Sequence, residues 1–348
     1  LWEHHKILAI AKGETMDIFN YLITKPAMDL AIHKYIDGEY SYEFISASMN
    51  GVFKVKSKEK DFILRISHPD KQINQIYGEI DFINFLHSNN LKVAKPLLSR
   101  EHTYVEHIDD PDHYIICAFE KAEGVIADYQ DRTVWNHDLF RIWGKAMGKM
   151  HRLTKTYTPE KTEYTRMNWN QESLSVKYSI FDHDLNIPKG NEIVFSKWRE
   201  LLEELNALPK SRDDYGLVHC DLHSLNFFWN KEEITVFDFD DCCYHWFSYD
   251  IAIAFYDSLY SIPFEEREQR REFIKGFSKS FFEGYNSENH ITDEWINRIP
   301  LFIKYRDYLL YLVAVTHMDE NTMGLEQKSM LRNIRSALEN DISYVEFD

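Results

Sequence analysis

Glycine and proline are scarce, with 12 and 9 among 348 residues. So few exclude collagen-like repeats and long flexible linkers. Cysteine is scarcer still: Cys117, Cys220, Cys242 and Cys243, with no C-x-x-C spacing. Four irregularly spaced thiols exclude a disulfide scaffold and lead us to expect a reduced, cytoplasmic protein. Leu1–Lys12 lacks a sustained apolar stretch and a small-residue cleavage pattern, so no secretory leader is expected. The longest apolar run near the end, Tyr308–Val315, falls far short of the ~20 residues of a spanning helix, so no membrane partner is expected. Basic charge is the minority, 40 residues against 57 acidic for a net of −17, and no dense Lys/Arg run occurs. The electrostatic footprint of a nucleic-acid binder is therefore missing, and no nucleic-acid partner is expected. Excess negative charge favours solubility, and it would tolerate or attract a cationic small substrate. There are no internal repeats and no low-complexity tracts.

Apolar matter is plentiful. Hydrophobic residues make up 44% and aromatic residues 15% of the chain, enough for a sizeable core. The length suits two structural units, or one large domain with two lobes. Residues 1–40 read as irregular or helical. Gly51-Val-Phe-Lys-Val-Lys56 and Asp61-Phe-Ile-Leu-Arg-Ile-Ser67 then alternate around the polar turn Ser57–Lys60, which predicts a β-hairpin. Ile73, Ile76, Ile80, Ile83 and Leu86 recur at helical spacing, with Glu79 beside the stripe. Leu91–Leu98 leads into more strand, and Tyr114–Phe119 reads as a buried strand that ends in the turn Glu120–Gly124. The boundary between two lobes is placed there, at a hinge of about 117–124, dividing 1–119 from 120–348.

Helical periodicity dominates beyond it. Leu139, Trp143, Ala146, Met150 and Leu153 form a stripe, and Trp143, Met147 and Met150 read as core rather than a cofactor box. Gly144 and Gly148, four apart on that helix, predict close packing against a neighbour. Residues 158–196 read as a long polar excursion, and Trp198–Leu208 as helix. Residues 216–241 read as strand, loop, strand, and the chain after Ser248 as helix almost to its end. The expected fold class is α+β, with a β-rich N-terminal part and a mostly helical C-terminal part.

The chemistry concentrates in Leu217-Val-His-Cys-Asp-Leu-His-Ser-Leu-Asn-Phe-Phe-Trp229 and Glu233-Ile-Thr-Val-Phe-Asp-Phe-Asp-Asp241. One strand delivers His219, Asp221, His223 and Asn226 onto a loop, and the next delivers Asp238. Phosphoryl transfer needs a carboxylate to orient the acceptor hydroxyl and take its proton, and hard oxygens to hold Mg²⁺ against the phosphates. An Asp, an Asn five positions later and an Asp at the end of the next strand match that set.

These motifs resemble the aminoglycoside phosphotransferase and choline kinase-type family, which shares the two-lobed protein-kinase-like fold. Weaker matches extend the resemblance over most of the chain. Asn50–Val55 and Phe62–Ile66 are similar to its first hairpin, and Glu79 to the glutamate of its N-lobe helix. Gly144–His151 resembles the helix beneath its cleft, and Tyr249-Asp250-Ile-Ala its segment whose aspartate braces the catalytic loop. The resemblance implies an enzyme that moves the γ-phosphoryl group of ATP or GTP to a small-molecule hydroxyl. By it, Asp221 is the catalytic base or orients the acceptor, and Asn226 and Asp238 bind Mg²⁺. Arg65 contacts the α/β-phosphates and pairs with Glu79, while the backbone near Phe119 to Lys121 meets the nucleotide base. His219, His223 and Asp250 support the loop, 1–119 is the nucleotide-binding lobe, and 120–348 binds the acceptor.

Three features depart from the pattern. Arg65 stands where protein kinases use lysine. No G-x-G-x-x-G covers the phosphates, so Ser46–Gly51 would have to do so. Cys220 replaces the usual glycine between His219 and Asp221, which implies an altered loop and thiol sensitivity. Competing readings accompany the pattern. Asp221 and Asn226 also suit a plain turn, and Arg65 with Glu79 an ordinary surface ion pair. Asp240 and Asp241 read as solvated or helix-capping carboxylates before metal ligands. His219, Cys220, His223, Cys242, Cys243 and His245 are soft zinc donors, but adjacent residues on a strand end point apart. A Ser hydrolase lacks its G-x-S-x-G elbow. A non-catalytic, kinase-like scaffold is the alternative from another class. Choline, homoserine, sugars and protein hydroxyls are competing acceptors, and Asp257, Glu265, Glu266, Glu283 and Asp307 are acidic candidates for a cationic one.

Overall fold

The computed structural model describes residues 23–47, 50–67, 71–109, 113–170, 189–263, 265–317 and 323–343. Expectations for residues 1–22, for Ser48 and Met49 of the phosphate-covering segment, for 171–188 of the polar excursion, and for 318–322 and 344–348 of the terminal helical stretch lie outside them.

A first helix, α1 (Lys25–His33), starts at Thr24, whose hydroxyl accepts from the Ala27 amide. It leads to β1 (Tyr40–Ala47), β2 (Asn50–Ser57) and β3 (Phe62–Ser67). The expected hairpin is β2–β3, with Phe53 opposite Leu64 and Val52 opposite Arg65. β1 is an additional edge strand, so the described residues of the Ser46–Gly51 segment lie on two strands, with Ser46 opposite Val52 and Ala47 opposite Gly51. α2 (Ile73–Ser88) carries the predicted apolar stripe inward. Then come β4 (Pro96–Leu97), β5 (Glu106–Asp109) and β6 (His113–Glu120). The antiparallel order is β1-β2-β3-β6-β4, with β5 also on β6. The sheet's α1 face is filled by Phe53, Val55, Phe62, Leu64, Ile116 and Ala118.

The remainder is mostly helical. β7 (Val125–Ile126) precedes α3 (His137–Thr154), which Asn136 caps by accepting from the Asp138 and Leu139 amides. α4 (Glu192–Asn206) follows, then β8 (Tyr215–Val218), β9 (Phe227–Trp229), β10 (Ile234–Val236) and β11 (Cys243–Trp246). Next come α5 (Phe247–Ser258), α6 (Arg267–Asn286), α7 (Ile299–His317) and α8 (Leu325–Glu339). β11 pairs back on β8, and β9 joins β10 to β7. No helix among the described residues is long and apolar enough to cross a membrane.

The helix–helix contact predicted from Gly144 and Gly148 is the one between α3 and α6. A Cβ at Gly144 would stand 2.0 Å from the Phe281 carbonyl oxygen, and one at Gly148 would stand 2.5 Å from that of Tyr285. Gly284 answers from α6, where a Cβ would be 1.8 Å from the Arg141 oxygen. Only backbones without side chains approach this closely. α3 also packs against β8, where a Cβ at Gly216 would stand 2.9 Å from the Thr154 side chain.

Candidate active site

The catalytic-loop segment begins where β8 ends. His219 is fully buried and its ring packs on Phe239. Its Nε2 donates to the Phe237 carbonyl at 3.0 Å, and its Nδ1 accepts from the Asp221 amide at 3.3 Å. One imidazole thus ties the loop to the strand that delivers Asp238. Cys220 takes φ +63°, the left-handed conformation that favours glycine. Its amide donates to Asp250 Oδ1 at 2.8 Å. Asp250 is completely buried, and its other oxygen accepts from His151 Nε2 at 3.0 Å. Tyr285 donates its hydroxyl to His151 Nδ1 at 2.8 Å. Burial lowers the His151 pKa despite the Asp250 carboxylate, so the ring is neutral and the chain of bonds is satisfied.

Asp221, His223 and Asn226 converge. Asn226 Nδ2 donates to the Asp221 carbonyl at 2.8 Å. His223 Nε2 lies 3.3 Å from Asp221 Oδ2, and its Nδ1 accepts from the Leu225 amide. Burial works against a charged His223, but the Asp221 carboxylate prevails and raises its pKa. The Phe237 amide donates to the Asn226 carbonyl at 3.0 Å, which sets Asp238 beside the loop. Asp238 is exposed and has φ +64°, a left-handed conformation sparsely populated by residues other than glycine and characteristic of functional sites.

Arg65 and Glu79 meet as the sequence predicts, but not at the surface. Arg65 Nη1 and Nη2 donate to the two Glu79 oxygens at 2.7 and 2.8 Å, and the side chains are 6% and 1% exposed. The surface-pair reading is therefore corrected: β3 and α2 each bring a charge that the other must satisfy. The Arg65 guanidinium also stands over the Phe119 ring at 5.0 Å, joining two residues assigned separately from sequence. Lys121 is exposed just past the end of β6.

Asp240 is likewise no solvated cap. Lys71 Nζ lies 2.5 Å and Asn50 Nδ2 3.1 Å from its carboxylate, with Arg65 at 3.9 Å. Burial opposes ionisation, yet Lys71 and Arg65 outweigh it and hold the carboxyl well below the usual range. Asp240 thus links the N-terminal sheet to the segment carrying Asp238. Arg166 reinforces the link by donating to the carbonyls of Cys242, Gln75 and Asp240. The soft donors His219 and Cys220 part as adjacent residues should: the ring goes to Phe237 and the thiol to Cys243.

The residue missed from sequence is Arg306 on α7. It is buried, and its Nη2 donates to Asp221 Oδ1 at 3.0 Å. Burial disfavours its charge, but Asp221 keeps it firmly protonated. A charged run, Lys304-Tyr305-Arg306-Asp307, inside a largely apolar helix was the available signal. Of the acidic candidates, Asp257 is buried and accepts from the Ser224 amide at 2.9 Å, so it braces the loop. Asp307 accepts from Ser343, while Glu265, Glu266 and Glu283 are exposed.

Comparison with known proteins shows the family. The model of the phosphotransferase enzyme family matches residues 41–287. Amicoumacin kinase of Bacillus subtilis (strain 168) is 34% identical over 308 residues, covering 88% of this chain and 89% of that protein. The solved amicoumacin kinase hAmiN, in complex with AMP-PNP, Ca²⁺ and Ami, is 32% identical, with a TM-score of 0.85 over 96% of this chain and 98% of that one. A microcompartment-associated aminopropanol kinase shares the fold at 20% identity, with a TM-score of 0.69 over 91% of this chain and 95% of its own. The chain belongs to the phosphotransferase enzyme family and is a small-molecule kinase of two-lobed α+β fold that phosphorylates a hydroxyl.

Proposed function

We propose that this kinase transfers the γ-phosphoryl group of Mg-ATP to a hydroxyl of amicoumacin or a molecule closely similar to it. The observation that carries the reading is that Asn226 is bonded to Asp221 on the loop after β8, while the Phe237 amide on the Asn226 carbonyl sets Asp238 beside that loop. Likeness to amicoumacin kinases over nearly the whole chain supports the acceptor, and AMP-PNP in one of them supports ATP over GTP as donor.

Asp221 orients the acceptor hydroxyl and receives its proton, held from one side by Arg306 and from the other by His223. Asn226 and Asp238 offer an amide oxygen and an exposed carboxylate, a hard-oxygen set that fits Mg²⁺. When bound, the ion neutralises phosphate charge. Arg65, fixed as a fork by Glu79, faces the phosphates. The β6 end at Phe119 to Lys121 meets the nucleotide base, with the hinge at 117–124 between a nucleotide-binding lobe (1–119) and an acceptor lobe (120–348).

The test is nucleoside diphosphate release from Mg-ATP and Mg-GTP with amicoumacin, pooled aminoglycosides, choline, ethanolamine or homoserine. Release from Mg-ATP that depends on amicoumacin and disappears in Asp221→Asn is the expected result. Release driven better by another acceptor would overturn the substrate assignment, and full turnover by Asp221→Asn would overturn the mechanism.

A further inference from the structure

One contact beside the loop brings two thiols together. The sulfurs of Cys220 and Cys243 stand 3.0 Å apart. β8 and β11 are antiparallel, with Val218 opposite Cys243, so Cys220 is the diagonal neighbour just past the end of β8. Such diagonal positions are usually too far apart to bond. Here the left-handed turn at Cys220 brings its thiol back over β11, where it also approaches the Cys243 carbonyl at 3.8 Å. A covalent sulfur–sulfur bond needs about 2.05 Å, so closure requires a shift of roughly one ångström.

We propose that Cys220 and Cys243 form a dithiol that peroxide closes to a disulfide, displacing the catalytic loop and switching the kinase off reversibly. Cys243 is the partly exposed member and Cys220 is buried, so peroxide meets Cys243 first. The Arg166 guanidinium is bonded to the adjacent Cys242 carbonyl, and oxidation proceeds through the deprotonated sulfur of Cys243. The thiolate attacks one peroxide oxygen, the O–O bond breaks and hydroxide leaves, giving a sulfenic acid on Cys243. The Cys220 sulfur then attacks the Cys243 sulfur and expels its hydroxyl, which departs as water with the Cys220 proton. In total, two thiols and one hydrogen peroxide become one disulfide and two waters, the sulfurs losing two electrons to the peroxide oxygens. A dithiol reductant reverses it by exchange. The other two cysteines do not compete: Cys117 and Cys242 are buried, and burial pushes their thiols up to about 11 and about 12.

The consequence follows from position. Cys220 lies between His219 and Asp221, and its amide is bonded to Asp250. Pulling its side chain toward β11 by about one ångström moves the Asp221 backbone with it. A misplacement of that size costs on the order of 100-fold in rate.

The disulfide itself does not depend on the acceptor, so two readouts are taken without one. The full-length protein is treated with hydrogen peroxide, then examined by non-reducing peptide mapping and by amide hydrogen exchange over residues 219–226. A third readout is Mg-ATP turnover with amicoumacin, for which untreated enzyme gives the baseline. An inactive baseline would count against the proposed acceptor while the first two readouts still decide the switch. Expected are a Cys220–Cys243 linked peptide, altered exchange in the loop, and a loss of turnover on the order of 100-fold that dithiothreitol restores. All three should vanish in Cys243→Ser, with Cys243→Ala as a second variant should the first fold poorly. Absence of the linked peptide, a linked peptide with unaltered loop exchange, or an equal dithiothreitol-reversible response in the Cys243 variants would overturn the proposal.

Discussion

Arg65 and Glu79 allow the sharpest quantitative test of how the N-terminal sheet is built. Both charges are out of water, and both carboxylate oxygens are used by the guanidinium. Replacing Glu79 with Leu leaves Arg65 buried, with Asp240 at 3.9 Å as its nearest remaining acid. Replacing Arg65 with Met strands Glu79 instead. Removing one partner of such a pair costs about 3–5 kcal/mol, chiefly for the charge left behind. Against a total stability of about 5–15 kcal/mol, each single variant loses a large share. The double variant Arg65→Met/Glu79→Leu leaves neither charge and fills the space with apolar atoms. It is expected within about 2 kcal/mol of wild type, whereas additive losses would reach about 6–10. Urea unfolding of the four proteins, followed by tryptophan fluorescence, measures the coupling. Additive losses would refute the assignment of the pair as a mutually dependent unit. The same double variant separates structure from function: folded yet unable to bind Mg-ATP tightly, it supports Arg65 on the phosphates, while unchanged affinity removes that role.

Asp238→Ala should weaken Mg-ATP binding at least tenfold by calorimetry, while Asp221→Asn should keep nucleotide affinity and lose turnover. Arg306→Lys keeps the charge but loses the fork, and turnover should fall about 10–100-fold with little change in nucleotide affinity. Cys220→Gly relieves a left-handed non-glycine residue, and the thermal midpoint should rise by the equivalent of about 1 kcal/mol, since the strain of about 1–2 is partly offset by loss of the buried thiol. His151 stays neutral in the fold because burial lowers its pKa from 6.5. Its stabilising contribution is therefore full above about 6.5 and is lost as pH falls below that value toward the folded pKa, with a slope of up to about 1.4 kcal/mol per pH unit. His151→Gln should show a shallower loss of stability between pH 7 and 5, and parallel curves would refute this.

Most of what the sequence made legible is local. The Asp221, Asn226 and Asp238 spacing is readable because the chain itself carries those residues from one strand end to the next. The α3–α6 contact was half legible: Gly144 and Gly148 announce a close neighbour, but only the fold identifies it as α6 with Gly284. β1 alternates over Tyr40–Phe44 and was legible but missed, whereas β11 escaped because it is short and defined by its partner β8. Asp240 was misread for a related reason. Its cationic partners Lys71 and Arg65 are some 170 positions away, so in sequence it is one more acid beside Asp241. Arg306 is the extreme case, 85 positions from the carboxylate it holds.

That last contact bears on what Asp221 does in the proposed reaction. A guanidinium at 3.0 Å and a histidine at 3.3 Å both engage the carboxylate oxygens that would meet the acceptor's proton. For an enzyme that must remove a proton early, such partners would be a handicap. Phosphoryl transfer is not of that kind, because its loose transition state places little demand on the acceptor's proton and much on where its oxygen lies. Two rigid partners are then an advantage. Arg306 fixes one carboxylate oxygen from α7 and His223 fixes the other from within the loop, so Asp221 presents a defined orientation to an incoming hydroxyl. In the proposed reaction α7 belongs to the helical part that would hold the acceptor, so the residue that steadies Asp221 would also lie beside the acceptor. Under the proposed reading Arg306 would couple acceptor fit to the alignment of Asp221, and the Arg306→Lys variant would then lose turnover without losing nucleotide binding.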